Sequence, residues 1–308
     1  MQCRNVQLRA ASGIATCRLV VVLAALALLA CVPSAHSRPH GIVLVVLDTL
    51  RADGLSALMV AMSAVVGLGV SVYASAYFAG GKGDAGHQRA YFWPLWLMLW
   101  TALNALFVTA DVFNAYVTLE LLGLSAVALV ALAASPAALT GAMRYLLVGL
   151  LGSLLYLLGV GLLYAAAATL DFQQLAAAPL PGGLAAIVLG LVTAGLMLKT
   201  ALFPFHFWLP PAHASAPAPV SALLSALVVK ASFYLLLRFW FYVAPELAAN
   251  PAPTLLGVLG AAAVVWGGLR ALTAERLKLV VAYSTVAQIG YLFLVFPLAL
   301  GQPEGFTA

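Results

Sequence analysis

The chain has 308 residues, 65% hydrophobic and 7% charged, with a mean hydropathy of +1.09 and a formal net charge of +5. This composition excludes an ordinary soluble domain and points to an integral membrane protein whose solvent is the lipid bilayer. The 14 Lys and Arg are dispersed without a basic run, which excludes nucleic acid as a partner. Cys3, Cys17 and Cys31 all lie near the amino end, so the body offers no thiol for a disulfide, a zinc site or an iron–sulfur cluster. No cofactor and no metal is expected on this chain.

Arg4, Arg9 and Arg18 precede the apolar run LVVVLAALALLAC (Leu19 to Cys31), whose length suits a signal-peptide core better than a full span. LLAC is similar to a lipoprotein cleavage box, which would make Cys31 the acylated residue; an uncleaved signal anchor is the alternative. RPHGIVLVVLDTLRADGLS (Arg38 to Ser56) then opens with a buried-strand pattern. It resembles the first strand of the sulfatase and alkaline-phosphatase-like family, in which Asp48 would bind a metal. A single carboxylate cannot hold a divalent cation, and neither the nucleophile motif nor the other ligands follow, so no working metal site is expected. Residues 1–52 therefore read as a signal-like segment and strand fragment without an independent domain, and 53–308 as the membrane domain.

Beyond Ser56 apolar segments recur at about 55–78, 92–110, 112–134, 143–169, 183–208, 217–241, 253–271 and 278–300, each able to span about 30 Å of hydrocarbon. The expected fold is all-α, a polytopic transmembrane bundle of about eight helices with one broken helix. ASPAAL, DFQQLAAAPLPGG and PPAHASAPAP read as connections. Counting alternate loops, Lys82, Arg89, Arg144, Arg270, Arg276 and Lys278 share one side, cytoplasmic by the positive-inside rule, in a cell inner (plasma) membrane. Arg238 is the exception, near the other side, where its stem can snorkel. YFWPLWLMLW reads as an interfacial aromatic belt, Asp111 as a helix N-cap, and Tyr283, Ser284, Thr285 and Gln288 as a polar packing patch.

Three ionisable side chains fall well inside apolar segments: Glu120, Lys199 and Lys230. Each costs on the order of 2.5 to 3.5 kcal/mol at a helix centre, so each needs a partner or a hydrated cavity. A structural ion pair would account for Glu120 and one lysine but leaves the other lysine over. Lys199 and His206 would share one face of an unbroken helix, about 10.5 Å apart, but Pro204 between them frees backbone carbonyls at membrane depth. The stretch thus reads as a broken helix lining a polar cavity. A lysine with a movable acidic neighbour can alternately hold and release a proton, and His206 and His213 suit a relay.

KTALFPFHFWLPPAHASAPAPVSALLSALVVKASFYLLLR, DVFNAYVTLELLGLSAVALVAL and RLKLVVAYSTVAQIGY together resemble the antiporter-like membrane subunits shared by respiratory complex I, membrane-bound hydrogenases and Mrp-type cation/proton antiporters. The resemblance covers about Asp53 to Leu300 and looks closer to the Mrp-like or hydrogenase-like branch. It implies that Glu120 is the acidic partner, Lys199 the central proton-holding lysine and Lys230 the next carrier. His206 and His213 would belong to the relay, and Lys278 would be the basic residue opening the last helix. Proton translocation follows, as a subunit of a cation/proton antiporter or of a complex I-like NADH:quinone oxidoreductase, with no redox chemistry on this chain. The implied partners are homologous membrane subunits of a multisubunit complex; the implied ions are protons and, in exchange, Na+. A non-conducting, truncated scaffold subunit is the alternative.

The family's longer chain has two inverted repeats, whereas this one stops at Ala308 after one repeat and two further helices. Arg276 stands where the family usually has Asp. DGLS, Asp53 to Ser56, satisfies both the sulfatase-like and the antiporter-like pattern, which suggests a composite chain joined there.

Overall fold

The computed structural model describes residues 50–79, 84–178, 181–243 and 251–299. The signal-like run ending at Cys31 and the metal reading of Asp48 lie outside them. Among the described residues the secondary structure is helical, apart from two isolated backbone bridges. Among the described residues eight helices are long and apolar enough to cross a membrane, which bears out the polytopic bundle.

The first four spans are α1 (Gly54–Ala79), α2 (Asp84–Val108), α3 (Val112–Ala131) and α4 (Pro136–Ala167), followed by a short α5 (Phe172–Ala177). The fifth span is α6 (Gly182–Thr200), a 3-10 turn (Phe205–Trp208) and α7 (Leu209–Ser215). The sixth is α8 (Ala218–Leu223), a π-turn (Leu224–Val228), α9 (Val229–Arg238) and a second π-turn (Phe239–Val243). A hairpin of α10 (Ala252–Leu272) and α11 (Leu277–Phe293) follows, then α12 (Val295–Ala299). The fifth and sixth spans are 67% and 72% buried, against 28–39% for the other six, so they form the centre of the bundle.

Local chemistry sets the helix ends. The Asp111 carboxylate accepts from the amides of Phe113 and Asn114, the N-cap expected of it. ASPAAL is a helix start rather than a connection: Ser135 caps the Ala138 amide and Pro136 takes the first helical position, where its missing N–H is harmless. Asp171 likewise caps α5 inside the stretch read as a loop. The loops before α3 and α5 are tied together by Val112 N–H to Leu170 O and Phe172 N–H to Ala110 O, both 2.9 Å.

Two expectations are corrected here. Phe92 and Trp96, assigned to an interfacial belt, are fully buried core residues; Trp96 stacks on Trp100 at 5.1 Å and donates to Ser71 Oγ at 3.0 Å. Small residues on α1 let this indole pair in, as the Gly67 face lies against Trp100. The sulfatase resemblance gains no support, since its described end is part of the bundle: Arg51 N–H donates to Val108 O at 2.7 Å, and Leu50 bridges to Thr109.

The α4–α6 crossing fixes the depth of the buried charges. A Cβ on Gly195 would strike the Gly152 carbonyl and lie 3.0 Å from the Tyr156 amide; one on Gly152 would lie 2.7 Å from Gly195 O and 3.2 Å from Lys199 Cγ. Glycine on both sides lets the backbones meet, the close approach that membrane helices use in place of a hydrophobic driving force. Gly195→Val should destabilise the bundle by about 1–3 kcal/mol through overpacking. A clear drop in the melting temperature of the detergent-solubilised protein is the expected result; an unchanged melt would mean that the crossing relaxes freely.

Candidate functional site

Lys199 stands one residue before the end of α6, and the chain breaks directly after it. Ala201 adopts a left-handed conformation, φ 57°, which closes the helix. Its amide bonds Leu198 O, and that of Leu202 bonds Met197 O at 3.2 Å. The Trp208 indole then reaches back from the 3-10 turn and donates to Leu198 O at 2.9 Å, its ring stacked 4.2 Å from that of Tyr145. The helix is broken as the prolines predict, and the carbonyls of Met197 and Leu198 accept from protein groups.

Lys199 Nζ donates to Glu120 Oε1 at 2.8 Å, with the lysine 8% and the glutamate 20% exposed. Ser153 on α4 also donates to Glu120 Oε1 and to Gly149 O. One carboxylate oxygen therefore faces an ammonium and a hydroxyl together, held by three helices. Beside it a cavity of about 30 Å³ is lined by Gly123, Tyr145, Gly149 and Ser232 among others. That is room for about two waters. A Cβ at Gly123 would stand 3.9 Å from the lysine nitrogen, so glycine keeps the space beside the pair open. Ser153 and Gly123 escaped the sequence reading; each is a small residue in an apolar helix, with only its face to mark it.

The remaining candidates form a second group and an outlier. Lys230 donates to the Ser225 carbonyl of the preceding π-turn, and Ser225 Oγ pairs with Thr285 Oγ1 of α11 at 2.7 Å. Among the described residues no carboxylate lies within ion-pair distance of Lys230. His213, expected in a loop, is fully buried on α7, because Pro210 and Pro211 occupy the first turn of a helix, where proline is favoured. Its Nδ1 meets Ser221 Oγ at 2.5 Å while Nε2 is buried without a hydrogen-bond partner. The ring lies in the fields of both Lys230 and Lys278. Lys278, in the first turn of α11, donates to Ala216 O at the carboxyl end of α7 at 2.6 Å, a favourable place for a cation.

His206 does not share a face with Lys199. It is half-buried, with Nε2 accepting from Trp266 Nε1 of α10 at 3.1 Å, its ring stacked near Phe203 and its Nδ1 buried without a hydrogen-bond partner.

At the opposite end of α9 a polar cluster appears that the sequence reading missed. Arg238 does not snorkel: it makes a two-pronged bond to Asp53, with NH2 to Oδ1 at 2.6 Å, and its NH2 also reaches Ser56 Oγ at 2.8 Å. Its guanidinium lies 5.0 Å from the ring centre of Tyr234 and 5.1 Å from that of Tyr242. Asp53 also caps α1, accepting from the Ser56 amide at 2.8 Å. Burial works to raise the Asp53 carboxyl, but the bonds from Arg238 and Ser56 outweigh it and hold the group down at about 2.

The family described as NADH:quinone oxidoreductase/Mrp antiporter, TM, matches residues 109–303. The NADH-quinone oxidoreductase subunit N of Desulforudis audaxviator is 37% identical over 269 residues, covering 86% of this chain and 51% of that protein. Among solved structures, a chain of the Mrp complex from Dietzia sp. DQ12-45-1b superposes with a TM-score of 0.71 at 28% identity, covering 80% of this chain and 45% of that one. A chain of respiratory complex I from Thermus thermophilus gives 0.67 at 31% identity, covering 92% and 58%. The chain spans about half the length of the curated relatives it matches. Relatives at 30% identity or more include complex I, antiporter and hydrogenase subunits, so the matches do not separate the branches.

The Asp53 value generates a prediction about pH. The folded carboxyl lies below its ordinary 3.8, so its contribution to stability is complete above that value and is lost as pH falls through about 2. The melting temperature of wild type should therefore exceed that of Asp53→Asn at pH 6 and converge on it toward about pH 2. A gap between the two that stays constant over that range would contradict the assignment.

Proposed function

We propose that this chain, which belongs to the NADH:quinone oxidoreductase/Mrp antiporter transmembrane family, moves protons across the plasma membrane through Glu120, Lys199 and Lys230 as a subunit of a larger membrane complex. The observation that carries the reading is the Glu120–Lys199 pair, 2.8 Å apart, beside a small cavity at a broken central helix.

Two charges taken out of water are a poor stabiliser compared with apolar packing, so an ion pair here calls for a use other than holding the bundle together. A proton delivered to Glu120 neutralises the carboxylate and loosens its hold on the ammonium. Lys199 can then pass a proton on, and the returning carboxylate restores the pair. The Ser153 hydroxyl keeps Glu120 oriented toward Lys199 during this exchange. Lys230, which has only a carbonyl partner, serves as the next holder. His213 and Lys278 extend the path toward the side where the Lys- and Arg-rich loops lie, the cytoplasmic side by charge bias. His206 serves the contact of the 3-10 turn with α10 and stands outside the path.

The relatives supply the setting. Complex I and the Mrp complex are multisubunit assemblies, which supports sibling membrane subunits as partners and coupling of the proton step to quinone chemistry or to Na+ exchange in them.

The test uses the chain reconstituted with its neighbouring membrane subunits and a pH-sensitive dye. Lys199→Ala and Glu120→Gln should each lower flux by roughly tenfold or more, about 1.4 kcal/mol on the limiting barrier. Lys199→Arg should fail as well, because the guanidinium keeps the pair but does not release its proton. Unchanged flux in the first two variants would sink the relay and leave a packing role.

A further inference from the structure

We infer that Asp53 and Arg238 are positioning residues for Lys230, acting through the rotation of α9; this rests on the relay reading above. Helix α9 has ten residues and is bracketed by two π-turns, Leu224–Val228 before it and Phe239–Val243 after it. A π-turn takes in one residue more than an α-turn, and gaining or losing that extra residue turns the following segment by about 100° and moves it by about 1.5 Å. The register of α9 is therefore not dictated by continuity with the helix on either side, and it needs fastening from outside.

The fastenings are at its two ends. At the start, the Lys230 ammonium holds the Ser225 carbonyl of the first π-turn, and Ser225 Oγ is paired with Thr285 Oγ1 of α11. At the end, Arg238 holds Asp53 with both prongs, flanked by the rings of Tyr234 and Tyr242. Tyr234 donates to Phe107 O of α2 at 2.8 Å and receives Arg238 Nε at 3.0 Å, which ties the middle of the segment to the same clamp. Lys230, Tyr234 and Arg238 are spaced by four and so form one row along the helix. Any rotation of α9 that carries Arg238 off Asp53 carries Lys230 off its carbonyl in the same sense.

The chemistry of the clamp fits holding an angle better than holding a charge. A guanidinium bound at two points to one carboxylate defines an orientation, which a lysine at the same place would not. Asp53 is itself fixed as the cap of α1, with the Ala57 amide on its carbonyl at 2.9 Å. The other titratable groups around Lys230 are His213 on α7, with Lys278 on α11 beyond it; Glu120 and Lys199 make the separate pair on α3 and α6.

The test records flux against pH in the reconstituted complex, together with hydrogen exchange of backbone amides 224–243. Asp53→Asn and Arg238→Lys should each lower flux about fivefold, move the pH of half-maximal flux by about half a unit or more, and speed exchange in 224–238, whereas Asp53→Glu restores most of the flux. If Asp53→Asn does not fold, Arg238→Lys, which keeps the charge, still reports through the pH midpoint. An unmoved midpoint, with flux falling only as the folded fraction falls, overturns positioning and leaves a structural clamp. Lys230→Ala is the control: unchanged flux there removes the relay itself, whereas lowered flux there beside silent Asp53 and Arg238 variants removes only the inference drawn here.

Discussion

A charge at membrane depth has to be answered where it stands, and the architecture around Lys199 follows from that. The ammonium draws Glu120 across from α3, Glu120 draws Ser153 from α4, and those two helices can come close enough only because Gly152 and Gly195 let α4 and α6 touch. The break after Thr200 places the pair at a helix end, where backbone carbonyls need donors of their own. The pair thus sits where three helices adjoin, at a depth set by the glycine contact of α4 and α6 and by the break after Thr200.

The polar groups are divided between two stations with different characters. Around Glu120 and Lys199 charge is balanced but space remains, with glycine and serine at the margin. Around Asp53 and Arg238 charge is balanced and all three guanidinium nitrogens are bonded, with the rings of Tyr234 and Tyr242 close by. The first arrangement permits exchange of partners; the second resists it. Lys230 lies between them on a segment whose ends belong one to each kind of surrounding.

The spans were readable because hydropathy at a period of about twenty residues is set by bilayer thickness alone. Glu120 and Lys199 were readable for the same reason, since their cost in an apolar run requires a partner, although 79 residues separate them. The break was readable from Pro204. What stayed hidden depends on tertiary contact. Arg238 meets Asp53 across 185 residues, and near a membrane boundary snorkelling is an equally good local solution. His213 looked like a loop residue because prolines that start a helix and prolines that end one are the same letters. Phe92 and Trp96 are as aromatic as a belt, and only the small face of α1 makes them core.

Trp208 closes the helix break by donating to Leu198 O while stacked against Tyr145. Its indole is thus both a cover on that carbonyl and a natural chromophore at the break. Wetting there would exchange a carbonyl acceptor and a ring stack for a polar, relaxing solvent, the change to which indole emission responds most. With the other five tryptophans replaced, Trp208 would report optically on hydration at the carbonyl next to Lys199.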